Sequence, residues 1–408
     1  MRTCLTGLIA IMLSGGIASA AWVPAPDPRL GDGGVSPFYT WAGEIPDVPG
    51  TMLRTEPLNP VLGLSAAVEQ FRILYTSTDG VGGKVPVAVS GAYFVPNGTP
   101  PAGGWPLLAW AHGTTGVADV CAPSWTQRSK RDAAYLNAWL EQGYAIVSTD
   151  YQGLGTPGVH PYPVVRAHAY SVLDSIRAVL QGFPGIANRI VVIGQSQGGA
   201  ATCAAVGEAP GYAPELHIRG GVATGVPYRA AAVRPAQGNS IQSDQADPTV
   251  AYSLYTAVVS QQFDPSLTPD KLVTPRGLPM LELARTTCVG QLFRAVTGAG
   301  LNRGNTLTPG YFSALTDHLP LFRYSTLKVP VPVFIGSGDQ DHDVAPAHQL
   351  ALVRDACAAG SVVEAHLYAG LDHSATVNAS LKDSVPFVRK VMAGEAISPP
   401  QGTPRPSQ

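Results

Sequence analysis

Short apolar runs alternate with amphipathic stretches through the middle and the end of the chain. The apolar runs predict strands and the amphipathic stretches predict helices, an alternation that is typical of βα units with a parallel sheet. Near-continuous apolar strands are expected when helices cover both faces of such a sheet. The predicted strands are residues 107–111, 144–149, 190–193, 220–224, 331–335 and 362–368. The predicted helices lie near residues 131–142, 166–181, 197–207, 346–358 and 375–393.

The chain before residue 107 has a different pattern. Residues 71–76 and 85–95 alternate in polarity and are rich in β-branched and aromatic residues, which predicts a hairpin at a sheet edge. Residues 22–60 are rich in proline and glycine and only weakly periodic. We therefore expect an extended arm over the core, with a short helix at its end.

The regular alternation stops from Val226 to about Lys328. This connection has roughly a hundred residues where such loops usually have 2–6, and residues 249–261 and 278–296 have helical patterns. An insertion of this length must fold on itself, which predicts a cap or lid over residues 226–328. A separate downstream domain is disfavoured because the strand pattern resumes at residue 331. The predicted core thus has two parts, residues 21–225 (with an N-terminal arm at 21–68) and 329–393.

Both ends of the chain differ in composition from the core. A positive Arg2, an apolar run over residues 5–13 and the small residues Ala18-Ser19-Ala20 predict a signal peptide at residues 1–20. A membrane anchor is the alternative, but the run is too short to cross a bilayer. A secreted or periplasmic location is therefore expected. Residues 394–408 are rich in proline, glycine and serine, which predicts a disordered tail.

The overall composition narrows the function. The 408 residues are 45% hydrophobic and 13% charged, with a formal net charge of −2. Because the chain has no basic stripe, nucleic acid is not an expected partner. The sequence contains no phosphate loop and no dinucleotide fingerprint, so no cofactor is expected. His342 lies among three aspartates, but that run is too local to predict a metal site.

Four of the five cysteines follow the predicted signal peptide, and four cysteines allow three pairings in an oxidising compartment. Cys121 and Cys288 lie in loop-like or insertion sequence, and we expect one bridge between them. Cys203 and Cys357 lie on helical patterns, where small buried thiols are common, so their state stays open.

A Gly-x-Ser-x-Gly string, residues 194–198, follows the apolar run at residues 190–193 and precedes a helical pattern. This strand, turn and helix order predicts a nucleophile elbow with Ser196 at its apex. A sharp turn leaves the hydroxyl exposed above the carboxyl edge of the sheet, and the flanking glycines permit close packing of strand and helix. The start of the helix supplies backbone N–H groups for an oxyanion. A plain glycine-rich strand end is the alternative.

A serine hydroxyl needs a base, which in this kind of site follows the serine and an acid along the chain. His373 fits because it follows the last predicted strand and precedes a helical pattern. His366 lies within that strand, and His342 and His348 come too early. His373 is therefore the predicted base, with a surface histidine as the alternative.

Three aspartates alternate after the strand at residues 331–335, and only one of them is needed to orient the imidazole. Asp341 is the preferred acid because of its Gly-x-x-Asp-x-Asp-Val context. Asp339 has the same spacing from Gly336 and stays an alternative. Asp343 lies beside a predicted helix start, where a capping role competes with an acid role.

The oxyanion hole is predicted from two backbone N–H groups, those of Gln197 and Thr114. Thr114 belongs to the turn His112-Gly113-Thr114, which follows the strand at residues 107–111, and an ordinary glycine turn is the alternative. Asp150 and Tyr151 follow the next strand, where they could shape the site by hydrogen bonds or serve a purely structural turn.

Together these motifs resemble the secretory lipases of the α/β-hydrolase superfamily, typified by fungal lipase A and its bacterial relatives. The resemblance rests on Trp110-Ala111-His112-Gly113-Thr114-Thr115-Gly116, Cys121-Ala122-Pro123-Ser124, Asp150-Tyr151-Gln152-Gly153-Leu154-Gly155, Gly194-Gln195-Ser196-Gln197-Gly198-Gly199, Asp341-x-Asp343-Val344 and Asp372-His373-Ser374. It implies an α/β-hydrolase fold with a mostly parallel central sheet and a large cap or lid insertion. It also supports a bridge from Cys121 to a cysteine of the cap.

The leading hypothesis is a lipase or esterase that hydrolyses carboxylic esters through an acyl-enzyme. The resemblance implies a small-molecule or lipid ester as substrate and a lipid–water interface as a place of action. A serine peptidase of the same fold is one alternative. A catalytically silent ligand-binding protein is another, which the complete Ser–Asp–His order disfavours.

Overall fold

A ten-stranded sheet lies at the centre of the structure, a computed structural model that describes residues 23–229, 245–397 and 405–406. Its order is β1-β2-β3-β5-β4-β6-β7-β8-β9-β10. The strands are β1 (Met52–Pro57), β2 (Ala67–Thr78), β3 (Pro86–Pro96), β4 (Trp105–Ala111), β5 (Ala145–Thr149), β6 (Ile186–Gln195), β7 (Ile218–Thr224), β8 (Val333–Gly338), β9 (Val363–Tyr368) and β10 (Arg405–Pro406). The pairs β1–β2, β2–β3 and β3–β5 are antiparallel, and the others are parallel.

Helices cover both faces of this sheet. They are α1 (Lys130–Glu141), α2 (Val165–Gly182), α3 (Gln197–Tyr212), α10 (Pro346–Ala358), α11 (Ala375–Ala379) and α12 (Leu381–Ala393), with the six helices α4 to α9 in the long connection described below. Alternate residues of β4 face opposite sides of the sheet. Leu107 and Ala109 belong to the apolar cluster that includes residues of α2, α3 and α10. Leu108 and Trp110 belong to the cluster that includes residues of α1 and α12. This double burial explains the near-continuous apolar strands. The predicted α/β-hydrolase fold is confirmed.

Several segments differ from their sequence-based predictions. The helix predicted near residues 375–393 is divided into α11 and α12. The predicted N-terminal arm contains β1, which lies outside the hairpin of β2 and β3 and forms the edge of the sheet there. Its residues give no clear alternation of buried and exposed positions, so periodicity could not reveal it. The single helix predicted over residues 278–296 is two helices, because the chain is extended at Cys288, where a disulfide and a neighbouring backbone hydrogen bond hold it.

The long connection between β7 and β8 contains the helices α4 (Val250–Phe263), α5 (Pro269–Leu272), α6 (Leu278–Ala284), α7 (Val289–Gly298), α8 (Arg303–Thr306) and α9 (Tyr311–Ala314), followed by a 3₁₀ helix (Thr316–Phe322). These helices share an apolar cluster of their own, which Val117 joins from the core. The predicted Cys121–Cys288 disulfide is confirmed, and it links this helical insertion to the core.

The chain ends and the start of the insertion are only partly described. The predicted signal peptide and residues 230–244, 398–404 and 407–408 lie outside the described residues. Within the predicted tail, residues 405–406 pair with β9. None of the described helices combines the length and the apolar character that a membrane span requires.

Candidate active site

Ser196 occupies a sharp turn between β6 and α3. Its backbone angles, φ 57° and ψ −120°, lie in a region that residues with a Cβ rarely adopt. A conformation of this kind costs on the order of 1–3 kcal/mol and persists only where the surroundings impose it. Gly198 allows the close approach, because a Cβ there would overlap the Ala111 carbonyl group of β4. The local chain thus forms the turn predicted around Ser196.

His373 and Asp341 are joined by a buried hydrogen bond of 2.7 Å between His373 Nδ1 and Asp341 Oδ2. Three further groups donate to the same carboxylate. The backbone N–H groups of Asp343 and Val344 donate to Oδ1 at 2.9 and 2.8 Å, and Gln349 Nε2 donates to Oδ2 at 2.8 Å. Because both oxygens accept two hydrogen bonds, the carboxylate is fixed in orientation and its charge is well satisfied despite burial.

The other two acid candidates have different partners. Asp339 Oδ1 accepts a hydrogen bond from the backbone N–H of Gly370 at 2.7 Å. Asp343 Oδ1 accepts one from the Tyr252 hydroxyl of the insertion at 2.6 Å. Of the three aspartates, Asp341 alone hydrogen-bonds the His373 imidazole in the part of the chain that the structure describes.

The described residues contain one candidate metal cluster, which is formed by three side chains of the loops after β8 and β9. Asp341, Asp343 and His373 each offer a ligand atom, and these atoms lie within 4.8 Å of one another. The Asp341 oxygens already accept four hydrogen bonds, and Asp343 is bonded to Tyr252. A metal would have to displace several of these donors, so the hydrogen bonds favour an orienting role for Asp341 over metal binding.

The second imidazole nitrogen, His373 Nε2, is buried and has no hydrogen-bond partner among the described residues. Ser196 and His373 line the same cavity, although no hydrogen bond joins their side chains in the described structure. Such contacts are often long in ligand-free sites and shorten when a substrate binds. Gly225, which follows β7, allows the imidazole to lie close to the backbone on its other side, because a Cβ there would lie 2.8 Å from His373 Nδ1. Sequence reasoning missed Gly225, which belongs to no recognised motif.

The two predicted oxyanion residues lie on neighbouring segments, since β4 and β6 are adjacent strands. Gln197 is the first residue of α3, so its N–H group belongs to a helix N-terminus. Thr114 lines both cavities beside Ser196, and its Oγ1 lies 2.9 Å from the Tyr162 hydroxyl. The backbone before it is held by the Tyr151 hydroxyl, which donates to the His112 carbonyl at 2.9 Å.

Asp150 and Tyr151, whose role the sequence left open, support this region from beneath. The buried Asp150 carboxylate accepts hydrogen bonds from the hydroxyls of Ser90 and Ser124 and from the Ser124 N–H group. Burial raises the pKa of this carboxyl group, and the two serine hydroxyls oppose that rise. Tyr151 has a positive φ of 73°, which directs the chain out of β5 into the loop behind the oxyanion residues.

A cluster of imidazoles surrounds the Gln197 side chain. Gln197 Nε2 lies 3.1 Å from His160 Nε2 and 3.2 Å from His168 Nε2. Burial lowers the pKa of His160 to about 4 and holds that of His168 well below its usual range, so both rings are neutral near pH 7. Sequence reasoning missed both histidines, because neither follows a strand end or belongs to a catalytic motif.

Two cavities meet at Ser196. The smaller, about 350 Å³, is lined by His373, Gln195, Arg131 and Ser374 among others. The larger, about 530 Å³, contains Gln197 and His168 but not His373. Its aromatic lining residues are Tyr162, Tyr228, Tyr252, Tyr311, Phe312, Phe322 and Tyr324. A third cavity of about 300 Å³ contains none of the predicted site residues and plays no part in this geometry.

Comparison with known proteins bears on the family resemblance and on the fold. Residues 120–243 match the family model described as "Secretory lipase". "Lipase 7" of Candida albicans is 35% identical over 111 residues, which cover 24% of this chain and 25% of that protein. The predicted resemblance to the secretory lipases is confirmed. The secretory lipase match contains the Ser196 turn but neither Asp341 nor His373.

The matched secretory lipase relatives differ in what their names say. A protein of Mycobacterium tuberculosis named "Probable inactive lipase" is 31% identical over 201 residues, 46% of this chain and 44% of that protein. The chain thus spans between a quarter and a half of the length of these two relatives. Candida antarctica lipase A in its closed state superposes with a TM-score of 0.71 at 20% identity, over 91% of this chain and 89% of that one. This likeness concerns the fold.

Proposed function

We propose that the protein hydrolyses carboxylic esters through an acyl-enzyme formed on Ser196. The observation that supports this most is the buried 2.7 Å hydrogen bond between His373 and Asp341, on a ring that lines the same cavity as the strained Ser196 turn. A fixed imidazole with one free nitrogen, lining the same cavity as a serine at a sharp turn, is the arrangement that activates a hydroxyl for acyl transfer.

In the first half of the reaction, Ser196 Oγ attacks the ester carbonyl carbon as His373 Nε2 takes the hydroxyl proton. The carbonyl oxygen becomes an oxyanion that accepts hydrogen bonds from the N–H groups of Gln197 and Thr114. The carbon–oxygen bond to the alcohol then breaks, and His373 Nε2 returns the proton to the leaving alkoxide. Water repeats the sequence against the acyl-enzyme, releases the carboxylic acid and restores Ser196.

Asp341 orients the imidazole and stabilises its positive charge while His373 holds the proton. Its four hydrogen-bond donors hold it in place, so it need not move during the reaction. Replacing Asp341 by Asn would present a donor to His373 Nδ1 and favour the wrong tautomer. We expect kcat to fall by a factor on the order of 10³–10⁴.

The two cavities suggest how the ester lies in the site. His373 must protonate the leaving alcohol, so the alcohol lies on the side of the smaller cavity, which His373 lines. The acyl group then occupies the larger cavity, which lacks His373. The hydroxyls of the tyrosines around that cavity are bonded to protein groups, so their rings offer apolar surface; they are Tyr162, Tyr228, Tyr252, Tyr311 and Tyr324. An apolar acyl group of an aliphatic or aromatic acid fits such walls.

The wider setting is proposed on the same basis. Similarity to secretory lipases and the signal-like residues 1–20 favour an exported enzyme that acts on lipid esters, including esters at a lipid–water interface. Residues 226–328 would serve as a cap, because most aromatic residues of the larger cavity come from this stretch.

The test measures turnover of p-nitrophenyl butyrate and decanoate and covalent labelling by a fluorophosphonate, for the unaltered protein and Ser196→Ala. We expect ester turnover and labelling in the unaltered protein and the loss of both in the variant. Ser260→Ala is the matched control, since Ser260 is a buried serine of α4 whose hydroxyl has no hydrogen-bond partner among the described residues. It should retain both properties.

Other outcomes separate the alternatives. Labelling with turnover of an aminoacyl-nitroanilide but of neither ester would identify a peptidase. An unaltered protein that is folded, is not labelled and turns over none of these substrates would be a binding protein, as the name of one relative allows. Repeating the decanoate assay with an oil–water interface would distinguish a lipase from a hydrolase of dissolved esters.

A further inference from the structure

The side chain of Gln197 has no role in the proposed reaction, in which only its backbone N–H group takes part. Yet this side chain is almost fully buried and is clamped by two histidines of other segments. His160 lies in the loop between β5 and α2, and His168 lies in the first turns of α2. Both histidines are buried as well.

The proton positions in this cluster follow from the geometry. His160 Nδ1 lies 2.8 Å from the Gln152 carbonyl oxygen, which can only accept, so Nδ1 carries the proton. The opposite nitrogen of a neutral imidazole is then an acceptor. The Gln197 amide must therefore direct its NH₂ group toward His160, and its second N–H donates to His168 Nε2. Thus one backbone carbonyl determines the orientation of the whole cluster.

The same cluster contacts the other side of the predicted oxyanion hole. The His160 ring is stacked with Tyr151 at a centroid distance of 6.1 Å and lies 6.3 Å from the Tyr162 ring. Tyr151 donates to the His112 carbonyl, and Tyr162 bonds the side chain of Thr114. The two segments that supply the oxyanion N–H groups are therefore held against one set of packed rings.

We propose that His160 and His168 are positioning residues, which fix the backbone N–H of Gln197 relative to that of Thr114 by clamping the Gln197 side chain. This inference rests on the proposed function, because an oxyanion is needed for the position to matter. Gln197 is the first residue of α3, so the helix holds its backbone on one side only. On the other side it follows the strained Ser196. The amide clamp supplies a second anchor.

The expected effect is on the transition state rather than on substrate binding. Complete loss of one oxyanion donor costs a factor of about 10²–10³ in kcat, and a misplaced donor costs part of that. Replacing either histidine by Leu removes an acceptor from the clamp, and we expect kcat to fall by about 10- to 100-fold. KM should stay nearly unchanged in His160→Leu, because the residues that line the two cavities at Ser196 include His168 but not His160. His168→Gln offers an acceptor oxygen at a similar reach and should recover most of the lost kcat.

The experiment compares the unaltered protein, Ser196→Ala, His168→Leu, His168→Gln and the equivalent pair at His160 with p-nitrophenyl butyrate. Inhibition by a trifluoromethyl ketone, which forms a tetrahedral adduct, is measured beside it. In the leucine variants, the affinity for the ketone should fall by the same factor as kcat/KM. His366→Leu is the control, because His366 is a buried histidine on β9 that contacts Glu364 rather than this cluster. It should leave kcat and ketone affinity unchanged.

Several results would overturn the inference. Leucine variants that keep kcat and ketone affinity would show that the clamp does not position the N–H group. A loss of kcat that glutamine does not restore, or an effect confined to KM, would show a packing or substrate-binding role instead. If the glutamine variants fold and the leucine variants do not, a normal kcat in Gln197→Met would contradict the proposal. Failure of the proposed function is distinguishable, because turnover by the unaltered protein would then be absent or independent of Ser196.

Discussion

Removing the Cys121–Cys288 disulfide should destabilise the protein and loosen the active site together. The bridge joins a short 3₁₀ helix (Asp119–Cys121) to the residue that immediately precedes α7. Beside it, the Val289 N–H group donates to the Thr115 carbonyl at 2.7 Å, next to the predicted oxyanion residue Thr114. The perturbation is the double substitution Cys121→Ala and Cys288→Ala, which leaves no buried polar group in place of the sulfur atoms.

The size of the effect follows from the length of chain that the bridge closes. The two cysteines are 167 residues apart. In the chain-entropy description, a closed loop of that length lowers the entropy of the unfolded chain by about 17 cal/mol/K, or about 5 kcal/mol at 25 °C. The free energy of unfolding of a typical protein is about 5–15 kcal/mol, so the loss would be a large part of the whole.

The assay is equilibrium unfolding in denaturant, followed by ester turnover of the same samples. We expect the double variant to unfold at a clearly lower denaturant concentration and to have a lower kcat, because the segment that follows Thr114 loses an anchor. Cys203→Ala is the control, since Cys203 is a free cysteine in the structure and closes no loop. A double variant whose free energy of unfolding lies within about 1 kcal/mol of the parent would refute the entropic reasoning.

Three further substitutions test single features. Burial raises the pKa of Asp119 to about 7 from 3.8, so the stability that its protonation contributes is fully present below about pH 4 and is lost as the pH rises to 7. The free energy of unfolding should therefore fall by up to about 4 kcal/mol between pH 4 and pH 7. Asp119→Asn should remove this pH dependence, as measured by denaturant unfolding at both pH values. A variant with the same pH dependence as the parent would assign the effect to other groups. Ser196→Gly should abolish ester turnover yet raise the free energy of unfolding by about 1 kcal/mol or more, because glycine relieves the positive φ of 57°; a less stable variant would contradict strain at the turn. Gly198→Ala should destabilise the fold by about 3 kcal/mol or more through overlap with the Ala111 carbonyl, measured by thermal unfolding, and a normal melting temperature would contradict that close approach.

The fold was predictable where the pattern of apolar residues along a segment indicates which of its faces are buried. The strand predicted at residues 107–111 is β4 (Trp105–Ala111), and the helix predicted near residues 346–358 has the bounds of α10. The strand has a near-continuous apolar run because helices cover both faces of the sheet, and the helix has an apolar side because it packs on the sheet. The turn around Ser196 was predictable for a different reason: its glycines form a short string in the sequence, although the close contact that requires Gly198 is with Ala111 of β4.

Features that depend on distant parts of the chain were not predictable. The break between α6 and α7 is fixed by a disulfide and a hydrogen bond to the core, and neither is visible in the helical pattern. The sequence context favoured Asp341 but left Asp339 and Asp343 as alternatives, because the three residues alternate in one loop. The contact of Asp341 with His373 depends on how two separate loops meet at the carboxyl edge of β8 and β9.

The helical insertion contacts the loop that carries Asp341 directly, which would link substrate access to the proposed chemistry. Tyr252 of α4 lines both cavities and donates to Asp343, and the Asp343 N–H group in turn donates to Asp341. Burial raises the pKa of the Tyr252 hydroxyl well above its usual range, so it remains a donor at any pH the protein would meet. A movement of α4 that breaks this bond would free Asp343 and remove one restraint on the loop that carries Asp341. The insertion therefore does more than form a wall of the larger cavity, because its position also supports the group that orients His373.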